Sequence, residues 1–322
     1  MNQSTGSSTA QLTDPNPPTS TTGQGSPARM DRLVPFLLLV AAGSLIGLRT
    51  DLAKVAADQD LTPFAFLTWS VVGAALVLGA VGAKRHRLPS ISVRTLEYFV
   101  VAAVVSLVAP QLIFFSAAPK IGAGFAALAL VFSPLYTYAG ALVMHMERFD
   151  PWRALGVGLA LAASVLLAAL KLGQPDAPAV WIIVTLTAPI LLAVGNLYRT
   201  RRWPPGSSAD QLAPGMVAAA AIILLVTSLL PGPSLAIPTN SLTPLLMIAA
   251  QTATFSGLYL LYFILQQRGG PVILSLLGSV AAVVGTAIAM TVLNEPAPPG
   301  LVPAGILIAL GIGLVTQRAD RA

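Results

Sequence analysis

The sequence predicts an all-α integral membrane protein, and three observations carry this prediction. Of the 322 residues, 55% are hydrophobic and only 9% are charged, whereas a soluble domain carries about 25% charged residues. The mean hydropathy is +0.79. The apolar residues fall into ten stretches, most of them near the length of about 20 residues that crosses a bilayer. A chain with so little polar surface requires a lipid environment.

Ten transmembrane helices are predicted from these stretches in chain order. The first five cover Leu33 to Ala56, Pro63 to Ala83, Leu96 to Ala118, Gly122 to Met146 and Ala154 to Leu170. The other five cover Ala179 to Tyr198, Gly215 to Leu230, Pro244 to Gln266, Pro271 to Leu293 and Leu301 to Thr316. Proline and glycine interrupt nearly every connection, as tight turns require. Residues 1–30 are mostly small and polar, so we expect them to form a disordered cytoplasmic tail.

The distribution of basic residues predicts the orientation. With the N-terminus inside, most of the 18 Lys and Arg residues fall in inner segments, and only Arg49, Lys54, Lys120 and Lys171 lie on the outer side. Basic residues are enriched in cytoplasmic loops. We therefore expect a multi-pass protein of the cell inner (plasma) membrane with both termini in the cytoplasm. The same clustering beside apolar stretches argues against a nucleic-acid partner.

A weak internal repeat divides the chain into two halves. An offset of 148 residues superposes the third to fifth spans on the eighth to tenth and aligns Phe115 with Phe263 and Glu147 with Glu295. We expect a first repeat over 31–172 and a second over 177–318, with five helices each. Because five is an odd number, the two repeats must be inverted in the membrane. Inverted repeats around a midplane site are typical of secondary transporters.

The stretch from Phe114 to Leu166 resembles the repeat of EamA-type carriers in the drug/metabolite transporter superfamily. Small residues open its first helix, Pro134 lies within that helix, and Glu147 follows thirteen residues later. The stretch from Arg268 to Glu295 is similar to the same pattern. The resemblance implies ten helices, cytoplasmic termini and movement, often export, of small metabolites such as amino acids.

The first span, with Gly47 and Lys54 seven residues apart, is also similar to the opening helix of that family. The chain departs from the family pattern at three places. Ile46 stands where a tryptophan is usual, Trp69-Ser70 replaces an arginine of the second helix, and Ala282 occupies the position equivalent to Pro134. These departures affect the residues that would select a substrate, so no single substrate follows from the resemblance.

A group of charged residues near the outer end of the first span is a candidate gate or coupling site. Asp51 is the only carboxylate of the first predicted span, and Arg49 and Lys54 lie on either side of it. Intramembrane charge normally faces a cavity or a partner. The alternatives are an interfacial ion pair between Asp51 and Lys54, which are three residues apart, or contact with substrate. Asn196 and Arg199 form the candidate counterpart at the inner end of the sixth span.

A substrate cavity is predicted at the midplane between the third, fourth, eighth and ninth spans. Its expected lining is polar and consists of Gln111, Ser133, Tyr136, Gln251, Ser256 and Tyr259. Unpaired polar groups are costly in lipid, so these side chains should point inward. They could line a pocket or join helices by hydrogen bonds. A small amphipathic solute suits such a lining, whereas a highly charged sugar nucleotide or a bare metal ion would lack partners.

Other functions and partners receive less support from the sequence. The chain has no cysteine and only two histidines, and it contains no phosphate-binding loop or metal-ligand cluster. We therefore expect no enzyme activity, cofactor or metal; an integral-membrane lipid-modifying enzyme and a channel remain the alternatives. The expected partners are the lipid bilayer and a small-molecule substrate. Small-residue stripes in the fifth and tenth spans fit close helix packing within a monomer or a homodimer. Glu147 and Glu295 are expected to cap the helices that follow them.

Overall fold

A computed structural model describes residues 27–88, 91–173, 178–239, 241–298 and 300–319. Throughout these ranges every regular element is helical. The predicted tail lies almost entirely outside the described residues.

The helices are labelled in chain order. The first half contains α1 (Pro27–Ala57), α2 (Pro63–Lys84), α3 (Val93–Ile121), α4 (Ala123–Val143) and α5 (Pro151–Leu172). The second half contains α6 (Ala179–Arg201), α7 (Ala209–Thr227), α8 (Thr243–Ser275), α9 (Leu277–Thr291) and α10 (Leu301–Ala319). Helix α3 includes a π turn at Val104–Val108, and α4 includes a 3-10 turn at Ala129–Val131.

Six helices of the described ranges are long and apolar enough to cross a membrane: α2, α3, α4, α6, α7 and the part of α8 up to Gln267. Helix α9 and the apolar part of α10 are shorter. The all-α membrane class is therefore supported by these six helices, while the count of ten crossings stays a prediction.

Two helices begin earlier than predicted because polar residues cap them. Helix α3 begins at Val93 rather than Leu96, where Ser92 and Thr95 form a reciprocal capping box. Helix α7 begins at Ala209 rather than Gly215, where Ser208 and Gln211 form another. A capping box satisfies backbone N–H groups of the first turn. Apolar length alone misses these polar first turns.

Proline shapes the middle of α4. Pro134 has no N–H to donate to the carbonyl of Leu130 one turn earlier, and the chain tightens into the 3-10 turn just before it. The Leu130 carbonyl oxygen lies directly against Gly278 of α9. A small residue at position 278 therefore allows the irregular turn of α4 and the start of α9 to pack closely.

The helices of the two halves pack against each other in matching pairs. Helix α1 packs on α8 and α9, and α6 packs on α3 and α4. Helix α2 packs on α7 and α8, and α7 packs on α3; α4 contacts α9, and α5 contacts α10. When each helix is exchanged with its equivalent in the other half, five places along the chain, every pairing becomes either itself or another pairing of the same set.

Three helices cross closely at Gly47 of α1. A methyl group at Gly47 would lie 2.7 Å from the Gly285 nitrogen and 2.8 Å from the Ala281 oxygen, both in α9. On the other side of Gly285, a methyl group would lie 2.8 Å from Cβ of Ala127 in α4. Glycine at these positions lets the backbones of α1, α9 and α4 approach each other.

Substituting Gly47→Ala should therefore lower the thermal unfolding midpoint in detergent. Overpacking of this kind costs about 1–3 kcal/mol, and the atoms met are backbone atoms that cannot rotate away. The matched control is Gly79→Ala in α2, where a methyl group meets nothing within 4 Å. Both changes gain the same helix propensity, so equal midpoints in the two variants would contradict the close crossing.

Candidate functional site

A small cavity lies at the centre of the helix bundle, where α1, α3, α4, α6, α8 and α9 meet. Its volume is about 30 Å³, and one water needs about 10–15 Å³ on this measure. The polar lining residues are Arg49, Ser106, Ser133, Asn196, Tyr259 and Tyr262. The apolar lining residues are Ile46, Leu130, Leu192, Leu258, Leu274, Leu277 and Gly278. The cavity thus has space for about two waters.

Arg49 supplies a charged side chain to this cavity. The residue is 3% exposed, and its guanidinium lies against the side-chain amide of Gln111 in α3. With the amide oxygen facing Arg49, Gln111 accepts hydrogen bonds from both Nη atoms. The Nε atom of Arg49 has no hydrogen-bond partner among the described residues. One edge of a buried cation is therefore still able to donate.

Two hydroxyl groups of the cavity lining are also unpartnered within the described part of the chain: those of Tyr259 in α8 and Ser106 in α3. Both residues are less than 5% exposed. Ser106 belongs to the π turn of α3, and such turns are frequent at functional sites. Gly195 of α6 packs against its side chain, which keeps Ser106 close to Asn196. Buried polar groups without partners are rare in folded proteins.

A hydrogen-bond network around Arg199 adjoins the same cavity. Arg199 is fully buried and donates from Nε to Gln266 Oε1 at 2.9 Å. Its Nη2 donates to Asn196 Oδ1 at 2.9 Å and to the Tyr262 hydroxyl at 2.5 Å. That hydroxyl in turn donates to Asn196 Oδ1 at 2.6 Å. Helices α6 and α8 are joined through a single buried cation.

A chain of aromatic side chains extends from the cavity to α2. The ring centroids of Phe66 in α2 and Phe115 in α3 are 5.4 Å apart. Those of Phe115 and Phe255 in α8 are 6.3 Å apart. Phe255 stacks on Tyr259 at 5.7 Å, and Tyr259 lies 6.2 Å from Tyr262. Separations of 4.5–7 Å are those of interacting aromatic pairs. Tyr259 and Tyr262 therefore hold their positions by ring packing.

A second polar cluster lies where α1 ends, α4 begins and α9 has ended. Lys54 Nζ donates to Glu295 Oε1 at 2.6 Å. Glu295 also accepts from the backbone N–H groups of Ala123 at 3.0 Å and Gly124 at 3.1 Å. Burial alone would raise the pKa of Glu295, but the hydrogen bonds from Lys54 and the two amides outweigh it and lower that pKa. We call the contact between Lys54, Glu295 and the start of α4 the latch.

The latch differs from the capping predicted for Glu295. This carboxylate caps α4, to which it is distant in sequence, instead of the following helix α10. Glu147 pairs with Arg153 of α5 at 3.0 Å, but the cap of α5 is Asp150, whose Oδ1 accepts from the N–H groups of Trp152 and Arg153. An Asp directly before a helix reaches its first amides more easily than a Glu further away.

The structure places Arg49, Asp51 and Lys54 of α1 in different surroundings. Arg49 lines the cavity, and Lys54 pairs with Glu295 rather than with Asp51. Asp51 is 2% exposed, and neither of its carboxylate oxygens has a hydrogen-bond partner in the described ranges. Its strongest charge interactions are with Glu295 and Lys54, so it lies on the latch side of α1.

Some of the predicted cavity residues line the observed cavity, and others lie outside it. Ser133 and Tyr259 line the cavity, as do Arg49 and Asn196 from the predicted gate set. Gln111 is one contact away, through Arg49. The remaining predicted residues are absent from the lining: Tyr136 stacks on Phe132, Ser256 donates to the Thr252 carbonyl, and Gln251 is fully buried without a partner in the described structure.

The predicted sets omit Ser106, Tyr262 and Gln266. Tyr262 and Gln266 are three and seven residues after Tyr259, which places all three on one face of α8. That spacing could have identified them. Ser106 has no comparable signal, because its position depends on the π turn and on the fit against Gly195 of α6.

Comparison with known proteins supports the membrane assignment. Residues 34–169 match the EamA-like transporter family, so the resemblance found in the sequence is confirmed. A solved structure titled "Crystal structure of protein" is 20% identical over 88% of this chain and 97% of its own, with a TM-score of 0.66; at that identity it supports the fold alone. No curated protein sequence matches the chain.

Proposed function

We propose that this protein is a multi-pass secondary transporter of the EamA type. It moves small amphipathic metabolites across the inner membrane by alternating access, and the direction of transport is export. Both termini lie in the cytoplasm in this proposal, and ten helices form two inverted repeats over 31–172 and 177–318. The observation that carries the proposal is the central cavity, where three buried polar atoms have no partner in the described structure and can therefore bind a solute.

The cavity is built from both halves of the chain. Arg49, Ser106 and Ser133 come from the first half, and Asn196, Tyr259 and Tyr262 come from the second. A site between two repeats is the usual arrangement in secondary transporters. The matching helix pairs between the halves support the same arrangement, because each pair recurs when the halves are exchanged.

The size of the cavity supports a cycle with more than one state. A volume of about 30 Å³ is far below the range of about 300–1,000 Å³ for ligand pockets. A metabolite therefore requires an expanded conformation. The latch joins α1 and α4 with the segment after α9, and the Arg199 network joins α6 and α8. Opening either contact would separate helices that line the cavity, so we propose these two contacts as the gates.

Solute counterflow in proteoliposomes tests this function. Purified protein should exchange at least one member of a set of amino acids, aromatic amines and short carboxylates, with flux that saturates. Tyr259→Phe should reduce the affinity or the flux about three- to tenfold, since it removes one hydrogen bond to the solute. The matched control Tyr136→Phe, which lies off the cavity, should leave both unchanged.

Each contrary result has a distinct meaning. Flux that does not saturate would indicate a channel, and a chemically altered solute would indicate an enzyme. A loss of flux in Tyr136→Phe without any change in Tyr259→Phe would place the site beside Tyr136 and outside the central cavity.

A further inference from the structure

The two guanidinium groups at the centre of the bundle have no carboxylate partner. Arg49 and Arg199 are 3% and 0% exposed, and the ion pairs of the described residues involve neither of them. Arginine does not deprotonate in proteins, and a buried charge without a counterion is costly. The cavity region therefore carries uncompensated positive charge, which a bound anion would balance.

The free hydrogen-bonding groups of the cavity point to the same ligand. The three cavity atoms that lack partners in the described structure are Arg49 Nε, the Tyr259 hydroxyl and the Ser106 hydroxyl. Each can donate a hydrogen bond. A carboxylate accepts several hydrogen bonds at once, and bonds to an ionised acceptor are about twice as strong as neutral ones.

A cationic group on the ligand finds no counterpart in this lining. No Asp or Glu is present among the cavity residues. The nearest acid along α1 is Asp51, two residues from Arg49, and residues at that spacing do not share a helix face. Asp51 interacts with Lys54 and Glu295 at the latch. An ammonium group bound beside Arg49 would therefore face like charge without compensation.

The remaining surface of the cavity is apolar and defines the rest of the ligand. Ile46, Leu192, Leu258 and Leu277 contribute aliphatic side chains to the lining. Arg199 uses Nε and Nη2 on protein acceptors, and its unpartnered Nη1 belongs to a residue outside the cavity lining, so the guanidinium of Arg49 supplies the first contact. One anionic group attached to an aliphatic or aromatic body satisfies both parts of the lining.

We infer that the cavity selects a small monocarboxylate with an apolar body, held by Arg49, Tyr259 and Ser106, over the zwitterion or the amine of the same body. This rests on the proposed function, because the same cavity serves as the transport site. The sequence led us to expect amino acids or similar solutes. The inference restricts this expectation to similar solutes that carry a carboxylate and no ammonium group.

Equilibrium binding to the full-length protein in lipid nanodiscs tests the inference without requiring transport. The probes are 4-methyl-2-oxopentanoate, leucine and 3-methylbutylamine, which share one branched body and differ in charge, in a buffer with gluconate as the main anion. We expect the carboxylate to bind at least about tenfold more tightly than leucine, and the amine not to bind. This comparison uses the unmodified protein, so it holds even if a variant fails to fold.

Two variants connect the selectivity to Arg49. Arg49→Gln should weaken binding of the carboxylate about ten- to hundredfold, as expected for loss of a charge-assisted hydrogen bond, and should remove the preference over leucine. The matched control is Arg201→Gln, an exposed arginine of α6, which should leave affinity unchanged. Arg49→Lys should retain part of the preference because it keeps the charge.

Binding and flux together separate the two proposals. Equal or tighter binding of leucine or the amine, or no binding of the carboxylate, would overturn the inference about charge. If the carboxylate binds as expected but shows no counterflow in proteoliposomes, the anion site stands and the proposed transport function fails. Saturable flux of the amine or the zwitterion without the carboxylate would support transport and overturn the anion site.

Discussion

Replacing Arg199 with Ala should produce the largest loss of stability of any single arginine substitution in the described helices. The side chain is fully buried and donates to Asn196, Tyr262 and Gln266. Its removal relieves the cost of a buried charge, but it also leaves a void and several buried acceptors with fewer partners. Large-to-small changes of buried side chains cost about 2–5 kcal/mol, and each stranded polar group adds about 1–3 kcal/mol.

The measurement is the thermal unfolding midpoint and the monodisperse yield in detergent. Arg201→Ala is the matched control, because Arg201 lies two residues later on the same helix, is exposed and makes one 3.4 Å contact to the Met144 carbonyl. Its midpoint should equal that of the unmodified protein. Arg199→Lys should fall between the two, since an ammonium group cannot reach all three acceptors from one point. A midpoint for Arg199→Ala close to that of Arg201→Ala would contradict a structural role for the network.

Replacing Glu295 with Ala should open the latch and impair the transport cycle. The change leaves Lys54 without its 2.6 Å partner and leaves the N–H groups of Ala123 and Gly124 without an acceptor. An anionic cap at a helix N-terminus is stabilising, so its loss should also loosen the first turn of α4. Lys54→Met should be milder, because Glu295 still caps α4 in that variant.

Accessibility of the first turn of α4 provides the readout for the latch. A cysteine introduced at Ala126 in this naturally cysteine-free chain should react faster with a membrane-impermeant maleimide in Glu295→Ala than in the parent. Glu147→Ala, the equivalent position in the repeat, breaks only the pair with Arg153 and should leave labelling unchanged. If Glu295→Ala and Glu147→Ala label at the same rate as the parent, the latch does not control access.

The latch should also remain intact across the neutral pH range. The pKa of Glu295 is lower in the folded protein than its ordinary value of 4.5. A carboxylate with a lowered pKa contributes stability above its unfolded pKa, and that contribution is lost as the pH falls through the folded pKa. The thiolate is the reactive form of cysteine, so labelling at position 126 is expressed relative to an exposed reference cysteine at the same pH. This ratio should be constant above about pH 5 and should increase only in more acidic buffer.

The apolar pattern determined the class of the protein and the approximate position of each helix. Length and hydropathy predict a helix wherever a run of apolar residues can span a bilayer, because the backbone must satisfy its own hydrogen bonds in lipid. The helix starts at Val93 and Ala209 were missed because the prediction relied on hydropathy. Their first turns are polar and stabilised by capping side chains, so they carry no hydropathy signal.

Residue composition also identified several side chains that belong to the centre. Ser133 and Tyr259 were predicted to line the cavity, and both do so. Arg49 and Asn196 were predicted as gate residues at the outer and inner ends of their spans, and the structure places them in the same cavity. The reason is general: a polar side chain in a membrane helix is costly unless it faces other protein groups or a solute. Such a residue therefore reveals the inward face of its helix.

Only the tertiary structure decided how these residues are grouped. Arg49 and Lys54 lie five residues apart on α1, but Arg49 faces Tyr259 and Asn196 while Lys54 pairs with Glu295, 241 positions away. Spacing within one helix cannot determine partners on other helices, because those depend on which backbones approach closely. Here the approach depends on Gly47, Gly285 and the irregular turns in α3 and α4. The sequence by itself indicated several of the polar residues that turn inward, and helix packing decided which of them meet.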